Sequence, residues 1–225
     1  IIKEKHKNVE KRFAGNLDFF INEYEKCNEI SLLKNNESFD FKAERKIFIL
    51  DHSLYIQLKN ICSKFKFSYY QILFSVIGLL FSKYNKNIDK FFLGTAVLNR
   101  FGDKEKNTAG MFVTVNPVSF EVNYSDGIID FVKNVKSKLF QTYRHHNLTY
   151  AELLKTIREK NKIQTLFDVL VSYQNAKIET EYGFNTEWFF NGVQSNSLCI
   201  NIDDRDNENI LKFNFDYQTN KFSEN

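Results

Sequence analysis

The protein has 225 residues with 31 Lys+Arg and 28 Asp+Glu, so its formal net charge is +3 and its predicted pI is about 8.6. Hydrophobic residues make up 43% of the chain and aromatic residues 16%, a composition that excludes intrinsic disorder. The length allows one large domain or two small ones with a substantial core. Because acidic residues are interspersed with the lysines, the charge pattern argues against nucleic-acid binding.

Membrane insertion and secretion are also disfavoured. The longest apolar stretch, Ile72 to Phe81, contains a serine and is far shorter than the roughly 20 residues of a membrane span. Cys27, Cys62 and Cys199 are odd in number and widely spaced, which suggests neither a disulfide framework nor a metal site. The charged first residues are unlike a signal peptide. We therefore expect a cytoplasmic setting and, since no initiator Met is present, a longer parent protein.

Spacings of three and four between apolar residues predict five helices. The first covers residues 8–27. The second follows a cap at Asp51 or Ser53, and the third runs from Ser68 to about Tyr84. The fourth covers 126–143, and the fifth follows a cap at Thr149. The second helix is predicted to bury a particular set of side chains, Leu54, Leu58 and Ile61. The third helix is apolar nearly all round, which predicts burial on every side.

Runs rich in β-branched and aromatic residues predict strands between and after the helices. These runs are 46–50, 89–97, 111–122 with the only proline, 166–173, 184–190, 198–202 and 210–217. Helices dominate early and strands late, with no repeat, linker or clear domain boundary. The pattern predicts an α/β fold of the α+β two-layer kind, a single mixed β-sheet packed with helices.

Two features attract a catalytic or binding interpretation. His145 and His146 could supply a general base, but two histidines at a helix end also favour its negative pole, and no carboxylate follows closely enough to orient them. Arg100 ends a strand that contains Gly94, where it could hold a carboxylate or lie on the surface. No nucleophile elbow, dinucleotide fingerprint or P-loop occurs.

Four stretches in order resemble the core motifs of the C-terminal half of nonribosomal peptide synthetase condensation domains. Gly94 to Arg100, with the charged loop after it, resembles the fourth motif. Ala109 to Val118 (AGMFVTVNPV) is similar to the fifth, I-G-M-F-V-N-T-L-P-L. His145 to Leu154 (HHNLTYAELL) resembles the sixth, H-Q-D-Y-P-F-E-E-L-V, and Leu166 to Asn175 (LFDVLVSYQN) resembles the seventh, L-F-D-V-M-F-N-L-Q-N.

Four of the departures from these motifs change the polarity or the backbone chemistry of a position or replace a motif amide. Thr114 replaces an Asn, Asn116 a Leu, Thr149 a Pro and Ser172 an Asn. The family belongs to the chloramphenicol-acetyltransferase-like superfamily, whose domains have two similar lobes with a tunnel between them. The resemblance implies that residues 1–225 are the C-terminal lobe.

The family's catalytic H-H-x-x-x-D-G signature lies in the N-terminal lobe, so the resemblance implies no catalytic residue in this chain. Tyr150 and Ala151 stand where the Asp and Gly would have to follow His145-His146. Without the Asp, the second histidine of the pair has no group to orient it. We therefore interpret this pair as non-catalytic.

The resemblance also implies a function and its partners. In the complete domain, a carrier-bound amine attacks a carrier-bound acyl or peptidyl thioester to form a peptide bond. The substrates are carried on phosphopantetheine arms, and no cofactor or metal is bound directly. The partners would be the N-terminal lobe and the donor and acceptor carrier proteins, with no nucleic acid and no membrane.

Site residues carry over from the motifs. Arg100, with Asn99, would lie at the lobe junction and pair with the signature Asp. The loop 99–109 would form part of the tunnel floor, and residues 177–194 would cross to the other lobe as a latch. Candidate tunnel-lining groups are Gly110, Met111, Thr114, Ser172 and Gln174. Ser172 and Gln174 alternate along one strand and share a face, which plain sheet packing also explains.

Two other functions remain open. One is a different acyltransferase of the same superfamily, with coenzyme A or a polyketide carrier as donor. The other is a non-catalytic lobe that docks carrier proteins. In each case we expect the isolated chain to be inactive, and the uncovered face of the lobe to favour self-association.

Overall fold

A computed structural model describes residues 2–27, 40–100, 102–146, 148–161, 163–176, 188–205 and 210–222. The helices are α1 (Ile2–Lys26), α2 (His52–Phe65), α3 (Tyr69–Tyr84), α4 (Asp103–Lys106), α5 (Ile128–Arg144) and α6 (Tyr150–Lys160). The strands are β1 (Ala43–Ile49), β2 (Lys90–Val97), β3 (Thr114–Glu121), β4 (Val169–Gln174), β5 (Leu198–Asp203) and β6 (Lys212–Gln218). The chain falls into two compact units, Ile1–Ser31 with Phe81–Phe167 and Leu32–Leu80 with Asp168–Asn225.

The second unit is built on a mixed sheet. Its strands follow the order β1-β6-β5-β4, in which β4 and β5 are parallel and the other neighbours antiparallel. Val171 and Ile202 lie on one face of this sheet and are fully buried. Tyr70 of α3 donates a hydrogen bond to the Val171 carbonyl and stacks on Tyr173. The predicted mixed α/β architecture is thereby confirmed.

The first unit is built on the antiparallel hairpin of β2 and β3. Phe91 and Phe120 stack across it at a centroid distance of 5.2 Å. Helix α5 buries Phe131, Val135 and Leu139, three of the four residues whose helical spacing the sequence shows, whereas the fourth, Ile128, is exposed. These contacts give the hairpin a core of aromatic rings and aliphatic side chains, whose burial stabilises it.

Local signals predicted the starts of α2, α3 and α6 correctly, whereas the helix predicted over 8–27 begins at Ile2. The Asp51 carboxylate accepts the backbone N–H of Ser53, and the Ser68 hydroxyl accepts that of Gln71. Thr149 forms a capping box with Glu152. Each cap pairs backbone N–H groups that a helix start would otherwise leave without a partner.

Three sequence expectations need correction. Helix α2 buries Tyr55, Leu58 and Cys62, whereas Leu54 and Ile61 are exposed, so its inner face is rotated from the predicted one. Helix α3 leaves Val76 and Leu80 exposed although burial on every side was predicted. Residues 188–190 of the predicted strand 184–190 are not in a strand, and 184–187 lie outside the described residues.

Among the described residues, no single helix is long and apolar enough to cross a membrane. Helices α2 and α3 reach that length and apolar composition only when they are taken together, and the chain bends by 108° between them.

Gly94 allows a close approach of an aromatic ring. It lies opposite Pro117 in the hairpin, and a Cβ added to it would lie 2.6 and 2.7 Å from Cδ2 and Cζ of Phe167. The Phe167 ring is buried and packs on Tyr150 at a centroid distance of 5.0 Å. The ring therefore cannot move aside without disturbing its own neighbours.

We expect Gly94→Ala to lower the free energy of unfolding by about 1–3 kcal/mol, because the added methyl group overpacks the site. Gly15→Ala is the matched control, since nothing lies within 4 Å of its Cβ position on α1. That change should stabilise by about 0.5–1 kcal/mol through helix propensity. Urea denaturation measures both, and equal effects of the two substitutions would contradict the packing account.

Candidate functional site

The polar face of the second unit carries a row of hydrogen-bonded side chains, which we call the polar row: Ser172 of β4, Asn201 of β5, Asp216 of β6 and Arg45 of β1. Ser172 Oγ donates to Asn201 Oδ1 at 2.5 Å. Asn201 Nδ2 donates to Asp216 Oδ2 at 2.9 Å. The row thus connects all four strands of the sheet, and each of its members is largely withdrawn from solvent.

Arg45 and Asp216 form the charged end of the polar row. Arg45 donates from Nε to Oδ1 at 2.5 Å and from Nη2 to Oδ2 at 2.8 Å. The side chains of Arg45 and Asp216 are only 11% and 4% exposed. A buried pair of this kind compensates its desolvation only through good geometry and further hydrogen bonds, and the two-pronged arrangement supplies both.

Trp188 and Phe190 lie against the guanidinium group of Arg45. Arg45 Nη1 donates to the Trp188 carbonyl at 2.6 Å, and its guanidinium carbon lies 4.8 Å from the centroid of the Phe190 ring. Val193 forms a bridge with Lys42 just before β1. The part of the predicted latch that the structure describes, 188–194, is therefore fastened to β1, while 177–187 lies outside the described residues.

The two predicted site residues of β4 are both placed by sheet contacts. Ser172 is buried and its hydroxyl is engaged with Asn201. The carbonyl of Gln174 accepts the backbone N–H of Asp204 at 2.8 Å. The strand register places both residues on the face of the polar row. That this face meets substrate stays a prediction. Sequence reasoning missed Arg45, Asn201 and Asp216.

Arg100 organises the loop that follows β2. Its guanidinium donates to the carbonyl oxygens of Glu105, Thr108 and Gly110, the last two at 2.7 Å. The same group lies 4.2 Å from the centroid of the Phe112 ring. One side chain therefore holds both ends of the loop, which also contains the short helix α4 that the sequence did not predict.

Positive backbone angles mark the two ends of this loop. Asn99 has φ 54° and Gly110 has φ 150°. A left-handed residue reverses the chain direction sharply, and Asn tolerates that conformation better than most residues. Asn99 thus turns the chain away from β2, and Gly110 returns it toward β3.

The predicted tunnel-lining groups near β3 differ in exposure. Met111 is 92% exposed. The Thr114 hydroxyl and the Asn116 side-chain amide nitrogen are buried without a hydrogen-bond partner in the described residues. A buried polar group without a partner is unfavourable. Asn116 stands where the motif has an apolar Leu, whereas Thr114 replaces a polar Asn.

His145 and His146 are engaged at the end of α5. His145 Nδ1 lies 2.9 Å from Asn16 Oδ1, and its ring stacks on Phe19 at a centroid distance of 4.2 Å. His146 Nδ1 lies 2.7 Å from the Tyr143 carbonyl. Burial, and then the charge of Arg144, lower the pKa of His145 below its usual 6.5. These contacts agree with the structural interpretation of the pair.

Glu23 is a buried carboxylate that the sequence reading missed. It accepts hydrogen bonds from Lys138 at 2.6 Å, from Lys26 at 2.9 Å and from Ser119. Burial alone raises the pKa of Glu23, but these three donors outweigh it and bring the pKa to about 2. The carboxylate therefore stays ionised and joins α1, β3 and α5, which is a structural role.

Thiol and metal chemistry receive no support. Burial raises the pKa of Cys27 and Cys199 to about 12 and that of Cys62 to about 11, so none is a nucleophile near neutral pH. Among the described residues, no group of three or more His, Cys, Asp and Glu side chains could hold a metal ion.

Comparison with known proteins gives the context for this geometry. A family model described as "Condensation domain" matches residues 3–225. The chain belongs to the condensation domain family. Surfactin synthase subunit 1 of Bacillus subtilis (strain 168) is 29% identical to it over 228 residues, covering 99% of the chain but 6% of the relative.

Solved condensation domains share the fold of the chain. The first condensation domain of the calcium-dependent antibiotic synthetase, in complex with a substrate analogue, has a TM-score of 0.81 at 12% identity. The condensation domain from the Monacolin K polyketide synthase MokA has a TM-score of 0.79 at 13% identity. Each match covers 99% of this chain and 51% or 55% of the solved one, so the chain spans about half of each.

We expect Arg45→Met to lower the free energy of unfolding by about 3–5 kcal/mol, because it leaves the Asp216 carboxylate buried without its ionic partner. Arg45→Met with Asp216→Leu should recover most of that loss, since no unpaired charge remains. Urea denaturation followed by the fluorescence of Trp188, the only tryptophan, measures both variants.

Lys133→Met is the matched control, because Lys133 forms an exposed ion pair with Asp130 at 2.8 Å. Its loss should change stability by less than about 1 kcal/mol. If Arg45→Met is as mild as this control, the buried pair does not hold β1 to β6.

Proposed function

We propose that the chain is the C-terminal half of a condensation domain in a cytoplasmic nonribosomal peptide synthetase, where it forms one wall of the substrate tunnel. The observation that carries this proposal is a continuous family match over 3–225 that accounts for only about half of each solved condensation domain compared with it. The similarity to Surfactin synthase subunit 1 supports the same assignment.

The proposed reaction joins two substrates held on phosphopantetheine arms. The amine nitrogen of the acceptor attacks the carbonyl carbon of the donor thioester, the C–N bond forms, the C–S bond breaks, and the thiol leaves with a proton. A thioester is already activated, so holding the two tethered groups within reach supplies much of the rate. A base that receives the proton from the amine would come from the other half of the domain.

This chain would contribute position and shape. Arg100 would keep the floor loop closed, with Gly110 and Met111 at its far end, and would pair with an Asp of the other half. Thr114 would face the same region with a hydroxyl that has no hydrogen-bond partner among the described residues. Ser172 and Gln174 would present the polar face of the sheet to substrate. Donor and acceptor carrier proteins would be the partners.

A carrier-dependent acyltransferase outside peptide synthesis is the second candidate. The observation that favours it is the fold similarity to the condensation domain from a polyketide synthase. The wall and floor residues would serve that reaction in the same way, because either reaction brings a nucleophile to a tethered thioester.

The gene sequence upstream of Ile1 tests the proposal. We expect an H-H-x-x-x-D-G signature within about 200 residues, the length of one lobe, and carrier and adenylation domains nearby. A signature without adenylation or carrier domains would favour the second candidate. An upstream region without the signature would contradict a catalytic role and favour a lobe that only docks carrier proteins.

Arg100→Ala in the complete domain should lower both the rate of product formation and the melting temperature, because the floor loop and the proposed ion pair are lost together. Arg100→Lys should not restore the loop, since an ammonium group cannot reproduce the planar fork that meets three carbonyls. Lys104→Ala, on the exposed helix of the same loop, is the control. Unchanged rate and melting temperature in Arg100→Ala would refute the role of Arg100.

A further inference from the structure

Strand β3 has one edge that pairs with β2 and an outer edge that no strand among the described residues covers. The backbone N–H of Val122 donates to the Asp89 carbonyl at 2.8 Å, so the backbone groups of Val122 point toward β2. Hydrogen-bonding groups alternate in direction along a strand, so those of Ser119 and Glu121 point outward. Pro117 belongs to the same outward set, where a missing N–H removes no bond to β2.

An uncovered strand edge can pair with a strand of another molecule. Native proteins limit such pairing with proline or with charged side chains, lysine above all. The outer edge of β3 borders a groove of about 360 Å³, which Ser119 and Glu121 line together with Asn134, Ser137 and Lys138. A strand that paired with this edge would enter that groove.

Helices α5 and α1 lie on opposite faces of the hairpin. Tyr143 of α5 hydrogen-bonds to the side chain of Thr95, which is paired with Asn116 and shares its face. Ser119 lies three residues from Asn116 and therefore faces the other way. Its hydroxyl donates to Glu23 of α1.

The side chain of Lys138 connects these two faces. Lys138 belongs to α5, yet its ammonium group donates to Glu23 Oε2 at 2.6 Å on the side of α1. Strand β2 closes the inner edge of β3, and Lys138 lines the groove at the outer edge. The lysine therefore reaches Glu23 past the outer edge of β3, beside Ser119. The Lys138 and Glu23 side chains are only 27% and 8% exposed, so the pair is largely withdrawn from solvent.

We propose that the ion pair of Lys138 and Glu23 keeps β3 from pairing with the β3 strand of a second copy of this chain. The outward groups of Ser119 and Glu121 would otherwise meet those of the copy in an antiparallel, two-fold arrangement, in which both strands offer the same residues. An entering strand would have to displace Lys138 and take a donor from the buried Glu23 carboxylate, which is costly. The inference concerns association and does not rest on the proposed function.

Lys138→Ala, made in the complete protein that contains this chain, tests the inference. We expect the mass measured by sedimentation velocity to rise about twofold relative to the wild type, as a two-fold dimer requires. Amide hydrogen exchange over 119–121 should slow, because the outward N–H groups gain partners. Lys138→Arg should behave as the wild type does, since a long cation still reaches Glu23. Lys133→Ala is the matched control, because it removes the same charge from an exposed pair on the same helix.

Lys138→Ala with Glu121→Pro locates the association. The N–H of Glu121 points outward, so a proline there removes an edge donor and keeps the bonds to β2. This double variant should return to the mass of the wild type. Association that persists in it would place the contact elsewhere and overturn the inference. A Lys138→Ala protein with the mass of the wild type, or a wild type already dimeric with a protected β3 edge, would overturn it too. If Lys138→Ala shows no cooperative urea transition, Lys138→Gln takes its place with the same expected results.

Discussion

The ion pair of Arg45 and Asp216 is the constraint on which the second unit depends. It joins β1 to β6 through two residues that are 171 positions apart in sequence, and both charges are withdrawn from water. Such a pair needs good geometry and further hydrogen bonds, and Asn201 and the Trp188 carbonyl supply two of them. Loss of one partner would therefore disturb the sheet, the row and the attached segment 188–194 together.

The polar row connects this constraint to the proposed function. If the face of the polar row were apolar, it would need another apolar layer to cover it. Its side chains instead hydrogen-bond to one another across four strands, which fixes the register of those strands. Rigid strands hold site groups more accurately than loops do. A wall of a substrate tunnel needs that rigidity, because a carrier arm delivers its substrate to a fixed place.

Local parts of the fold were predictable, and long-range parts were not. Asp51, Ser68 and Thr149 cap helices because their side chains meet backbone groups a few residues away, so a short window of sequence contains the whole interaction. Arg45 and Asp216 meet only when the sheet has formed, and nothing near either residue signals the other. The inner face of α2 was misjudged because Leu54 and Tyr55 both fit an apolar spacing, and tertiary packing chose Tyr55.

The same division between local and long-range signals applies to α3 and to the histidine pair. His145 and His146 have the residue types of a catalytic motif, but Asn16, Phe19 and a backbone carbonyl occupy them. Helix α3 shows the reverse, since its sequence is apolar nearly all round and yet the described residues leave Val76 and Leu80 exposed. The histidine pair is an apparent site whose ring nitrogens already have partners, and α3 has an apolar side that the described residues leave exposed. Both features follow if this chain supplies the scaffold of a domain whose chemistry lies in another half.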